Sequence, residues 1–222
     1  LYESLKTGSP LPKPLSPLEP LIIKELEYAQ SEQHEKDIEF WRADYEQRGE
    51  PMISHINGPE MLEKYRKKMK NPALRHAGSF QLRTAGRHEV ELVPREKVEE
   101  IEAYCTQHKV SMQALFMFGV RTALSKLNNR QDDITFMATV ARRATLQEKR
   151  AGGSRVNSAE FRTIVREDIS FEQACQEIAE QQSVIYRHAQ LSTLEIFALE
   201  RKFFPVKGYF AGWNFTVFTF QP

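Results

Sequence analysis

Seven consecutive residues, Ile134, Thr135, Phe136, Met137, Ala138, Thr139 and Val140, contain no charge and no helix breaker. They are rich in β-branched and aromatic side chains. They are entered through Asp132 and Asp133 and left through Arg142 and Arg143. An unbroken apolar run of this length, without alternation, reads as a β-strand covered on both faces. Such a strand cannot stand alone, so it commits the chain to a layered fold. The residues after it, with Arg142, Arg143, Glu148, Lys149 and Arg150, read as a solvated loop. Gly152 and Gly153 then give the backbone freedom to turn. That pair could cradle an anion beside Arg150 and Arg155, but two adjacent glycines ordinarily mark only a turn.

The flanking sequence supplies the layers. Residues 1–6 look like the last turns of a helix, stopped by Gly8 and Pro10. Five prolines between residues 9 and 20 make an extended connector. Helical spacing resumes over residues 21–30, with Ile22, Ile23 and Leu26 as the apolar side. A second helix over 33–47 places Ile38, Trp41 and Tyr45 on one face. Residues 51–78 read as irregular and polar, and the basic cluster at 64–70 as a solvated face. Residues 80–83 and 88–93 alternate like a strand pair. Pro94 sits at the first position of a helix whose apolar face is Val98, Ile101, Tyr104 and Cys105. Ser111 caps a helix over 112–127 that is apolar all round. Residues 160–167 form a strand with one mostly exposed face, carrying Arg162, Ile164 and Arg166. Ser170 and Ser192 open capping boxes, the first helix burying Phe171, Ala174, Cys175, Ile178 and Ile185, the second Ile196, Phe197 and Leu199. Residues 208–221, aromatic and β-branched, read as a last strand deep in the fold. The order of strands and helices from residue 80 onward defines an α/β domain of two layers, helices on a mixed sheet.

Composition excludes more than it assigns. With 222 residues and a formal net charge of +1, the chain can bury a large core, and no global field argues for nucleic acid or an anionic membrane. No apolar run approaches a bilayer span, and the first residues are not a signal peptide. Cys105 and Cys175 fall on apolar helix stripes and read as buried free thiols of a reducing compartment. The six histidines form no HExxH, and no CxxC, GxSxG or phosphate-binding GxxxxGK[ST] loop occurs. His188 is a candidate acid/base, or simply a helix-end histidine. By its own residues the sequence names no reaction.

Residues 131–158, QDDITFMATVARRATLQEKRAGGSRVNS, resemble the condensation domains of nonribosomal peptide synthetases. In that family a strand after "QDD" runs into "GTPVxNR", then a loop, then "GxFVNT". Tyr28 with Phe40 and Trp41 resembles "YxDYxxWQ … YW". The helix over 111–127 is similar to "TxxxxLxAAxxxLLxRLxG". Residues 186–190 resemble the lead into "HQDxPFE", and 215–221 a strand ending "FNYQ". Departures are Arg155 in place of the aromatic of "GxFVNT", Met137, Ala138 and Thr139 at the "GTP" turn, and the absence of HHxxxDG. No two histidines are adjacent, so no catalytic residue can be carried over to this sequence.

The resemblance implies a lobe of the CoA-dependent, chloramphenicol-acetyltransferase-like fold. Residues 1–78 would be the end of the N-terminal lobe and a connector, and 79–222 a C-terminal lobe incomplete at its end. It implies a parent that joins an acyl thioester on one carrier protein to the amine of an aminoacyl group on another, in the cytoplasm, next to an adenylation domain. No cofactor would be bound directly; the phosphopantetheine arms of the carriers would be substrates. Met137, Ala138, Thr139, Asn157, Phe218 and Thr219 would line the tunnel for those arms. Thr219 would either hydrogen-bond substrate or pack its methyl. The alternatives are a non-catalytic module that docks carrier proteins or neighbouring domains, and an epimerisation, cyclisation or free-standing acyltransferase relative. The fragment itself is expected to be inactive, beginning after the histidine motif.

Overall fold

The apolar run is the middle of strand β1 (Asp133–Ala141), and its residues from 134 to 138 are all buried. In the computed structural model, which describes residues 2–75, 88–143, 145–205 and 216–221, β1 is the central strand of a mixed sheet. It pairs antiparallel with β2 (Val156–Ile164) and parallel with β3 (Val217–Phe218), in the order β2-β1-β3. The register sets Phe136 opposite Phe161 and Ala138 opposite Ala159. The two rings lie 5.2 Å apart, a cross-strand aromatic pair of the kind that fixes register.

Nine helices accompany the sheet among the described residues: α1 (Tyr2–Thr7), α2 (Glu19–Tyr28), α3 (Glu32–Arg48), α4 (Glu60–Met69), α5 (Arg95–His108), α6 (Met112–Leu127), α7 (Leu146–Arg150), α8 (Phe171–Arg187) and α9 (Thr193–Phe203). Helices α6 and α8 pack on each other and on the sheet, while α3 packs on α9 and α9 on β2. The core joins Trp41 and Tyr45 of α3, Met117 of α6, Ile178 of α8 and Ile196 of α9 to Phe136 and Phe161. Ser111, Ser170 and Ser192 cap their helices as their spacing predicts, the last two with reciprocal capping boxes. Cys105 and Cys175 are free and buried, and burial pushes both thiols up in pKa.

Several expectations are corrected. Residues 51–78 are not wholly irregular: α4 occupies 60–69, with Glu60 and Glu63 in its first turn and Arg66, Lys67 and Lys68 in its last. The basic cluster is thus the end of a helix, where cations oppose the macrodipole. The loop after β1 contains α7, capped by Thr145 and Glu148, and the proline connector is tied to it through Ser16 N–H to the Arg150 carbonyl at 2.9 Å. On α2 the inward face is Leu21, Glu25 and Tyr28, not Ile22, Ile23 and Leu26, which are about half exposed. Glu25 turns inward because Arg142 waits for it at 2.9 Å.

Strand β2 begins four residues earlier than expected, and it hides Arg162 (5% exposed). Asp133 accepts from Arg162 Nε and Nη2 at 2.9 and 2.7 Å, and the Gly49 carbonyl accepts from Nη1 at 2.7 Å. A bidentate, fully bonded guanidinium can be buried. Residues 88–93 form no strand; Leu92 is 85% exposed, and the expected partner at 80–83 lies outside the described residues. Pro94 is the residue before α5, one place earlier than predicted. Helix α6 is buried on one side only, with Phe116 exposed. Phe171 is also exposed, edge-on to Phe118 at 4.8 Å. Of the expected last strand only Val217–Phe218 pairs, with Val217 exposed rather than deep; residues 208–215 lie outside the described residues.

Candidate functional site

Five of the six residues expected to line a tunnel come together where β3 joins β1. Met137 N–H donates to the Thr216 carbonyl at 2.8 Å, Met137 pairs with Val217, and Ala138 with Phe218. Parallel pairing carries Thr139 alongside Thr219, and their hydroxyl oxygens are 2.8 Å apart. Met137 and Ala138 are buried, Thr139 and Phe218 half-buried, and Thr219 exposed. The apolar part of this ladder therefore closes the core, while the threonine pair stands at an accessible sheet end. Each hydroxyl can donate and accept, so the pair can offer one further donor to an amide or carbonyl lying along it.

The sixth, Asn157, sits opposite Val140 on β2. Its Nδ2 donates to the carbonyls of Ala189 and Leu191 at 2.8 and 2.7 Å. Its Oδ1 accepts from Thr193 N–H at 3.1 Å and Thr193 Oγ1 at 2.7 Å. The whole amide is spent joining β2 to the turn between α8 and α9.

Two constellations were not legible in the sequence. Glu160, 3% exposed, accepts from Tyr45 Oη at 3.1 Å, with Glu200 beside it. Burial first, then the Glu200 carboxylate, push the Glu160 pKa well above the usual carboxylate range. Tyr45 is 115 residues away in sequence, which is why no local pattern announces it. Asp37, fully buried, accepts from Tyr28 Oη and Gln33 Nε2, each at 2.7 Å, and lies 2.8 Å from His188 Nδ1. His188 caps the end of α8 and stacks on Phe40 at 4.0 Å. It is a helix-end histidine held by a buried carboxylate. Tyr28 is pushed up in pKa by burial and by the Asp37 bond. Among the described residues no group of three histidine, cysteine or acidic side chains could hold a metal ion, and no helix is long and apolar enough to cross a membrane.

The fold is that of a chloramphenicol-acetyltransferase-like lobe, and comparison with solved structures identifies it. Over 98% of its length the chain superposes on the first condensation domain of the calcium-dependent antibiotic synthetase, in complex with a substrate analogue, with TM-score 0.69 and 18% identity. VibH, a nonribosomal peptide synthetase condensation enzyme, matches 96% of the chain with TM-score 0.63 and 12% identity. The EpoB cyclization-docking bidomain of Sorangium cellulosum matches 89% with TM-score 0.67 and 14% identity. The chain spans 44%, 44% and 36% of these three structures.

The condensation-domain family model matches residues 1–199. The chain belongs to the condensation-domain family. One of the plipastatin synthase subunits of Bacillus subtilis (strain 168) is 26% identical over 190 residues, covering 85% of this chain and 7% of that protein.

Proposed function

We propose that this chain supplies the second lobe of a condensation domain that forms an amide bond between two carrier-bound substrates. An acceptor amine attacks the donor thioester carbonyl, the tetrahedral intermediate collapses, and the donor's pantetheine thiol leaves. The sheet and the helices packed on it, α3 among them through Trp41 and Tyr45, form one wall of the passage for the phosphopantetheine arms, and the segment before α3 leads to the other lobe. Partners are the donor and acceptor carrier proteins and a neighbouring adenylation domain. The arms are substrates rather than a resident cofactor.

One observation carries this reading. The β1–β3 ladder ends in the accessible Thr139–Thr219 hydroxyl pair, in a chain whose family match runs over residues 1–199. The contribution of Met137, Ala138 and Phe218 is to exclude water. That of the threonines is to hold an extended amide-bearing arm by hydrogen bonds. No group in this sequence is assigned the acid–base step, since HHxxxDG does not occur in it. The test is a carrier protein whose pantetheine arm bears a photoreactive group. Labelling of peptides containing 137–139 and 217–219 is expected. Labelling confined to the outer helices would instead mark a module that docks carriers without admitting the arm.

A further inference from the structure

Beyond the end of β1, a pocket of about 310 Å³ opens between the α7 loop and the end of α8. Four arginines line it: Arg142, Arg143, Arg155 and Arg187. Arg143 is fully committed to structure, donating to the carbonyls of Glu148 at 2.6 Å, Ala151 at 2.7 Å and Gly153. The others are not. Arg155 is 8% exposed, yet among the described residues its side chain is engaged only at long range, to Glu25 Oε1 at 3.4 Å and the Leu21 carbonyl at 3.5 Å. Its Nε is buried with no partner, as is Nε of Arg142. Arg142 meets the same Glu25 oxygen at 2.9 Å and the Gln190 carbonyl at 3.2 Å. Arg187 is exposed and has no ion pair among the described residues. A guanidinium does not deprotonate, and a buried one without an anion is costly. Here two share one carboxylate oxygen. The acidic groups at the pocket are Glu25 and Glu148, and Glu148 also faces Lys24 at 3.4 Å. Four guanidiniums and the Lys24 ammonium stand against two carboxylates.

We infer that this pocket binds a phosphoryl group on Arg142, Arg155 and Arg187, with Glu25 as the internal anion it competes with. An excess of more than one positive charge suits a phosphate monoester, which carries roughly −1.5 to −2 at pH 7, better than a single carboxylate. Planar guanidinium forks suit phosphate oxygens. The volume of about 310 Å³, roughly ten times a water molecule's share of the liquid, holds a phosphoryl group together with part of the chain that carries it. The phosphoryl group belongs either to a free phosphate or to a pantetheine arm; only the second source rests on the condensation reading.

Titration calorimetry of the full chain with inorganic phosphate, 4′-phosphopantetheine, pantetheine and acetate tests this. Phosphate is expected to bind, and acetate to bind at least about tenfold more weakly. Arg187→Gln, which removes no structural bond, is expected to weaken phosphate about tenfold. Glu25→Gln is expected to tighten it several-fold by removing the competing anion. A purely structural latch predicts neither change, so unchanged phosphate affinity in both variants overturns the proposal, as does no phosphate binding or equal binding of acetate. Phosphopantetheine binding tighter than phosphate, with pantetheine silent, assigns the arm. Equal affinity for phosphopantetheine and phosphate assigns a free phosphoryl ligand and leaves the photolabelling test of the arm passage to stand or fall separately.

Discussion

Replacing Asn157 by Ala separates a residue that meets substrate from one that holds the fold. The side chain makes four hydrogen bonds, two as donor and two as acceptor. Its two carbonyl partners belong to Ala189 and Leu191, which are 1% and 0% exposed, so water cannot replace the lost donor. An orphaned buried acceptor costs about 1–3 kcal/mol. Two of these, with the lost acceptor for Thr193 N–H at a similar cost, put the loss at about 3 kcal/mol or more. Thr193 Oγ1 retains the Ser158 carbonyl at 2.6 Å, so its hydroxyl is excluded from the sum. For a chain of this size each kcal/mol moves Tm by about 2–4 °C, so a fall of about 10 °C is expected. Asn157→Asp should be at least as damaging, because it points a carboxylate at two carbonyls. Calorimetric melting of both variants is the assay. A Tm within about 2 °C of the parent for Asn157→Ala would refute the reasoning and return the residue to the substrate passage.

Three further outcomes follow from the same structure. Glu160 has a raised pKa in the folded chain, so the folded state holds its proton more tightly than the unfolded one. Its stabilising contribution is complete below the unfolded carboxylate pKa, about 4.3, and is lost as pH rises through the folded value. Glu160→Gln should therefore gain stability over the parent progressively as pH rises above about 5, measured by urea melts across pH; a gain that shrinks with pH contradicts this. Asp133→Ala leaves the buried Arg162 without its carboxylate, and a loss of about 3–5 kcal/mol is expected, read by chemical denaturation. Gly153 has φ +80° and would place a Cβ 2.9 Å from Leu18 Cδ2. The flexible, partly exposed Leu18 can yield, so Gly153→Ala should cost mainly its backbone strain, about 1 kcal/mol or a Tm shift of about 2–4 °C.

What was legible in the sequence was what local pattern encodes. Strand β1 is visible because burial on both faces leaves an unbroken apolar run. The starts of α6, α8 and α9 are visible because a serine cap lies within three residues of the group it satisfies. The inward face of α2 does not follow from its apolar spacing, because Glu25 is drawn in by Arg142, which is remote in sequence. Arg162 looked solvent-facing for the same reason: Asp133 and the end of α3 complete its bonds only after folding. Of the candidate site, the β1 residues followed from their motif, and Thr139 with Thr219 is a pair that only the β3 register creates. The spent amide of Asn157 was invisible, since its partners come from a turn more than thirty residues later.

If this lobe shapes a passage for amide formation without itself supplying the acid–base histidine, product should depend on the other lobe. The most direct measurement is mass-spectrometric detection of the amide product on the acceptor carrier, with donor and acceptor both loaded. It compares the 222-residue chain alone with the chain joined to an HHxxxDG-bearing segment of a condensation domain. Product is expected from the joined protein and none from the chain alone, with loss of product when the histidines of that segment are replaced by alanine. Product formed by the chain alone at the rate of the joined protein would contradict the assignment.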